Sequence, residues 1–73
     1  MKKSFVLMDL ECAHCAAKME QAIARLEGVN QVSVNFLAQR LTLDAQDDKF
    51  AALVEEAGKI CKKIEPDCRL VVK

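Results

Sequence analysis

The alternation of two hydrophobic periodicities constrains this chain more than any other feature of its 73 residues. A short apolar run of β-compatible residues, Phe5 to Leu10, sits between charges and predicts a first strand. From Ala16 the apolar positions become Ala16, Met19, Ile23 and Leu26. Spacings of three and four, with Lys18, Glu20, Gln21 and Arg25 on the opposite side, predict an amphipathic helix that Gly28 stops. Val32-Ser33-Val34-Asn35-Phe36 then alternates with period two, and Leu41-Thr42-Leu43 repeats the pattern after a connection around Leu37-Ala38-Gln39, so the two read as a hairpin. Phe50, Leu53, Val54, Ala57, Ile60, Cys61 and Ile64 trace a second helical stripe, capped at its start by Asp47 or Asp48 and ended by Pro66. Cys68-Arg69-Leu70-Val71-Val72 predicts a last strand. The order βαββαβ is two βαβ halves end to end. It predicts one α+β domain over residues 1–73, a ferredoxin-like sandwich with a four-stranded antiparallel sheet and two helices on one face.

A chain this short buries one modest core and has no room for a deep, lidded cavity, which argues against an elaborate enzyme. Eleven Lys and Arg balance eleven Asp and Glu, and the basic residues form no stripe, so nucleic acid is not an expected partner. Asp9 and Glu11 interrupt the apolar run after Met1-Lys2-Lys3 too early for a secretory leader. No stretch approaches the roughly 20 apolar residues of a membrane span, so no direct membrane insertion is expected of this segment. The expected compartment is the cytosol, whose reducing chemistry leaves Cys12, Cys15, Cys61 and Cys68 as free thiols or metal ligands.

Cys12 and Cys15 stand at C-x-x-C spacing between a strand and a helix. The first turn of a helix presents unpaired N–H groups and partial positive charge, which lower thiol pKa values and favour the thiolates that soft metal ions bind. A redox pair is the competing use of the same spacing, and an incidental pair of small residues the bland one. In the predicted topology strand four lies antiparallel beside strand one. Glu65-Pro66-Asp67-Cys68 therefore comes to the same end of the sheet as Glu11 to Cys15.

Met8-Asp9-Leu10-Glu11-Cys12-Ala13-His14-Cys15-Ala16-Ala17-Lys18-Met19-Glu20, with Leu26-Glu27-Gly28-Val29 and Val32-Ser33-Val34-Asn35, resembles the heavy-metal-associated domains over nearly the whole chain. That family's usual G-M-x-C-x-x-C appears here as Asp9-Leu10-Glu11-Cys12-Ala13-His14-Cys15, with Leu10 able to fill the buried place of the Met and Asp9 standing in place of the Gly. The resemblance implies a metal-binding module, not an enzyme. The acidic residue before Cys12, and Lys62 to Asp67 before the last strand, are similar to the zinc, cadmium and lead branch of metal-exporting P-type ATPases. That likeness implies Zn(II), Cd(II) or Pb(II) as cargo, the remaining domains of such a membrane ATPase as partner, and the cytosolic face of the plasma membrane as location. A Cu(I) chaperone or copper-ATPase domain is the alternative on the same fold, since two thiolates satisfy Cu(I). A dithiol/disulfide redox protein is the third reading.

The expected ligands are Cys12 and Cys15, with Glu11 as an oxygen donor and Glu65 and Cys68 as lesser candidates. His14 is expected to point away from the sulfurs. Cys61, on the apolar stripe, reads as a buried small hydrophobe. Met8, Met19, Phe5, Phe36 and Phe50 read as core.

Overall fold

The computed structural model describes residues 1–71. Strand β1 (Lys2–Met8), helix α1 (Ala13–Ala24), strands β2 (Val29–Asn35) and β3 (Arg40–Ala45), helix α2 (Phe50–Ile64) and strand β4 (Arg69–Val71) follow one another in the expected order. The sheet order is β2-β3-β1-β4 and every pairing is antiparallel. Both helices cover one face, which makes the fold the ferredoxin-like sandwich the periodicities predict. The reading of strand four extends to Val72, which lies outside the described residues.

The core is a single cluster. Phe5 and Leu7 of β1 and Leu41, Leu43 and Ala45 of β3 meet Ala16, Met19 and Ile23 of α1 and Phe50, Leu53, Val54, Ala57 and Cys61 of α2. Burying each of the larger of these side chains contributes on the order of 1.5–3 kcal/mol, so the two stripes and the inner face of the sheet specify one another. Phe36 is half-buried against the cluster. Met8, expected in the core, is 43 % exposed, because β1 alternates and Met8 shares the outer face with Ser4 and Val6.

Several boundaries differ from the sequence reading, each for a local reason. β1 starts at Lys2, ahead of the apolar run, because Lys2 pairs with Asp44 and the Ser4 and Thr42 hydroxyls lie 2.9 Å apart, all on the polar outer face. α1 starts at Ala13, one turn ahead of its apolar stripe, with Cys12 as N-cap. β2 starts at Val29, directly after Gly28 turns the chain with φ of 99°. Neither Asp47 nor Asp48 caps α2. They sit in a 3₁₀ turn, Asp47–Lys49, that runs straight into the helix, and Lys49 holds the N-cap position without a side-chain bond.

Candidate metal-binding site

Antiparallel pairing decides what meets at the end of the sheet where β1 finishes. β3 and β4 both begin there, since Val6 lies opposite Arg40 and Met8 opposite Arg69. Three connections therefore share that rim: residues 9–12 into α1, the turn 36–39 between β2 and β3, and residues 65–68 from α2 to β4. The sequence reading brought the first and third together. The second is a finding of the structure.

Cys12 has an extended backbone, φ −124° and ψ 114°, and its sulfur accepts a hydrogen bond from the Cys15 N–H at 3.3 Å. Its carbonyl accepts from the Ala16 N–H at 3.1 Å, which closes the first helical turn. Cys12 is thus the N-cap and Cys15 stands three residues on, so the C-x-x-C spacing folds both thiols onto the same turn of α1. Both are half-buried and free.

The two thiols are electrostatically unequal. The Cys15 side chain and its backbone N–H, with the His14 N–H behind them, lower the Cys12 pKa below the ordinary 9.0. Cys15 moves the other way, to about 11, because of the Cys12 side chain, burial, the Cys12 charge and the carboxylate of Glu65. Cys12 is thus the more acidic member of the pair.

Glu65 is where the site departs from a plain thiol pair. It ends α2, its N–H donating to the Cys61 carbonyl and its own carbonyl accepting from Cys68 N–H, both at 2.9 Å. That turn points its carboxylate inward. Its charge acts on Cys12, Cys15 and Cys68, its carboxylate also acts on Cys15 by side-chain hydrogen bonding, and its Oε2 is buried with no hydrogen-bond partner. Buried carboxylate oxygens are normally satisfied, so this oxygen is a donor left available near the two thiols. Glu11 is exposed beside Cys12, and His14 is exposed on the first turn. Cys61 and Cys68 are both fully buried, as their strand and helix parity predicts. Burial pushes Cys61 up to about 12, and burial together with the charges of Glu65 and Asp9 raises Cys68. Cys68 is thus within the electrostatic reach of both Glu65 and Cys61. Among the described residues no three His, Cys, Asp or Glu side chains form a ready-made cage, so these donors would have to close around an ion.

The loop ahead of Cys12 is anchored by a residue the sequence reading passed over. The Gln39 side chain accepts from Leu10 N–H at 3.1 Å and donates to the Leu10 carbonyl and, at 3.2 Å, to the Phe36 carbonyl. Leu10 is 2 % exposed and fills the buried position expected of it. Asp9, ahead of it, takes φ of 62°, a left-handed conformation that a Gly would adopt without strain. No local signal marks Gln39, since a polar residue in a hairpin connection is ordinary.

The heavy-metal-associated domain model matches residues 5–65. This chain belongs to that family. A heavy-metal-associated domain is a small metal-binding module and is found in both ATPases and chaperones. This one is 44 % identical over 54 residues, 74 % of its length, to the zinc/cadmium/lead-transporting P-type ATPase of Escherichia coli (strain K12), of which the match covers 7 %. It is 31 % identical over 64 residues to the copper chaperone CopZ of Enterococcus hirae, covering 88 % of this chain and 86 % of that one. The solution structure of the N-terminal domain of ZntA in its Zn(II) form superposes with a TM-score of 0.71 at 33 % identity, over 96 % of this chain and 88 % of the other. The domain spans less than a tenth of the transporting ATPases it matches. Among its described residues no helix is long and apolar enough to cross a membrane.

Proposed function

We propose that this domain captures Zn(II), Cd(II) or Pb(II) between Cys12 and Cys15, takes oxygen donation from Glu65 and Glu11, and delivers the ion to, or senses it for, the remaining domains of a metal-exporting P-type ATPase at the cytosolic face of the plasma membrane. The observation that carries this reading is the buried, unpartnered Glu65 carboxylate oxygen beside the thiol pair. Charge decides the rest. Two thiolates around a divalent ion sum to zero, and each coordinated carboxylate then adds one negative charge while supplying a further ligand such an ion accepts. Around Cu(I) the same donor set is one unit more negative at every step, a heavier load at a half-buried position for an ion that two thiolates already satisfy.

Transfer follows from the openness of the donor set. Cys12 and Cys15 occupy a rim, so a partner's thiolate can enter an open coordination position and displace the ligands one at a time. Cys12, the lower-pKa thiol, is the first to bind, and the proton held by Cys15 leaves as the second bond forms. A closed four-cysteine site would resist that exchange. Cys68, fully buried, is a reserve sulfur in this scheme and becomes a ligand only if the 65–68 turn opens.

A Cu(I) chaperone is the second reading, favoured by the likeness to a copper chaperone of nearly the same length. The deciding measurement is competition against chromophoric chelators for Zn(II), Cd(II), Pb(II) and Cu(I), with wild type and the Cys12→Ser/Cys15→Ser double variant. The proposal expects tight divalent binding that the double variant loses while keeping its circular dichroism. Tight Cu(I) binding together with divalent affinity no better than the double variant's would give the site to copper. Catalytic turnover of a disulfide substrate would give it to redox chemistry.

A further inference from the structure

The hydrogen bonds of Gln39 form a device outside the thiol pair and its acids. β1 and β3 pair in regular register up to Val6 and Arg40. One further backbone bond follows, Leu7 N–H to the Gln39 carbonyl at 2.8 Å, and then the strands part. Beyond that point the Gln39 side chain takes over the work of a strand. A primary amide has the same donor and acceptor pair as a peptide group, and Gln39 presents both edges to Leu10, accepting from its N–H and donating to its carbonyl. The Leu10 N–H belongs to the 9–10 peptide and the Leu10 carbonyl to the 10–11 peptide. Gln39 therefore fixes both peptide planes immediately ahead of Glu11 and Cys12.

The backbone is shaped for this contact from both sides. Among the described residues Asp9 and Gln39 are the non-glycine residues with positive φ, 62° and 54°, and they flank the same contact. Asp9 turns the chain so that Leu10 faces back toward the hairpin, and Gln39 turns so that its side chain faces Leu10. A third bond, to the Phe36 carbonyl, ties the amide to its own turn and fixes its rotamer. Left-handed non-glycine residues cost free energy and persist where surrounding contacts over-determine them. Here those contacts converge on the segment that carries the ligands.

We propose that Gln39 is a positioning residue for the metal loop, holding Glu11 and Cys12 in the geometry that lets Cys12 meet Cys15 and the ion together. The inference rests on the metal-binding reading above. Groups that orient metal ligands without touching the metal typically change affinity by about 10–100-fold when removed, and that is the size of effect expected.

Gln39→Gly and Gln39→Asn separate positioning from mere structure. Glycine accepts the left-handed backbone without strain and deletes the amide, whereas asparagine keeps an amide too short to span both Leu10 groups. The measurements are Cd(II) affinity by chelator competition, the sulfur-to-cadmium charge-transfer band in the ultraviolet, Leu10 amide hydrogen exchange, and the urea midpoint, all on the whole domain. Expected for both variants are faster Leu10 exchange, Cd(II) affinity lower by about tenfold or more, and an altered charge-transfer band, while the urea midpoint of Gln39→Gly falls only modestly, relief of the left-handed backbone offsetting part of the lost hydrogen bonds. Gln39→Glu, which retains the acceptor and loses the donor, should fall between wild type and glycine. A domain that remains folded throughout the titration cannot lose affinity through lower stability alone, so the affinity and the band report on position. Wild-type Cd(II) affinity and an unchanged band in Gln39→Gly would overturn the inference and leave the metal site standing. A wild type that binds no Cd(II) would sink the metal reading, and the inference with it.

Discussion

Replacing Glu65 by Gln should make the empty domain more stable and the metal complex weaker, and the opposite signs are what make the experiment informative. The substitution keeps the shape of the side chain and removes its charge. In the free domain one carboxylate oxygen is buried without a partner, within the field of Cys12, Cys15 and Cys68. Leaving such a group unsatisfied costs about 1–3 kcal/mol, more when it is charged, and an amide still needs a partner, so the expected gain is the smaller figure, about 1 kcal/mol. For a domain of this size that is a rise of about 4–8 °C in Tm. In the complex the amide is a poorer donor and lacks the negative charge that attracts the cation. Zn(II) and Cd(II) affinity should fall by at least about tenfold, or about 1.4 kcal/mol. The Cys15 thiol should also titrate below about 11, though only part of the way to 9.0, because the Cys12 side chain and burial act on it more strongly than Glu65 does. Thermal unfolding without metal, chelator competition and the pH dependence of thiol alkylation read the three effects. Unchanged metal affinity alongside raised stability would show Glu65 to be a stranded charge and not a ligand. A fall in both would show that it holds the 65–68 turn together.

Cys61→Ala should cost about 1 kcal/mol of stability, by chemical denaturation, and leave Cd(II) affinity where it was, because a fully buried sulfur is lost from the core and none from the rim. Burial raises the folded-state pKa of Cys61 from 9.0 to about 12, so its contribution is intact below pH 9 and is lost as the pH climbs toward 12. The alanine variant should therefore show a flatter alkaline limb in a plot of stability against pH. Glu11→Ala should weaken Zn(II) or Pb(II) binding and leave Cu(I) unaffected or improved, as paired competition titrations would show; equal losses for both would assign Glu11 to loop structure. Asp9→Gly should raise stability by about 1 kcal/mol by relieving a left-handed aspartate, and a lower urea midpoint would mean that the Asp9 side chain holds the loop in place.

Topology and core were legible because hydrophobic pattern is a local record of which face is buried. The two helical stripes and the Val32–Leu43 alternation carried the strand order, and with it the meeting of residues 9–12 with 65–68. The edges were less legible for the same reason. Lys2 and Ser4 join β1 through cross-strand partners on the polar face, which no apolar pattern reports. Ala13 begins α1 because of a cap, and the 3₁₀ turn at Asp47–Lys49 occupies what reads as a capping signal. The placing of Cys12 and Cys15 together at the start of α1 was legible from spacing and context. Glu65 was legible as a candidate by topology, but the inward direction of its carboxylate depends on how the 65–68 turn closes against α2. Gln39 left no trace at all, since its partner lies 29 residues away and its importance is a matter of hydrogen-bond geometry.

The start of α1 is held by sulfur. Asparagine, aspartate, serine and threonine make strong caps because compact oxygens sit close to the N–H they accept from, whereas the Cys12 sulfur is large and diffuse and reaches the Cys15 N–H at 3.3 Å. The lone pairs that seal the helix are also those an ion would seek. Under the proposed metal-binding role, loading would redistribute one atom's electrons between helix and cargo, and the opening turn of α1 would become a gauge of occupancy, tightened or slackened by whatever the thiol holds. A partner docking against that turn would meet a different helix end on the full and the empty domain, and could tell them apart without touching the metal.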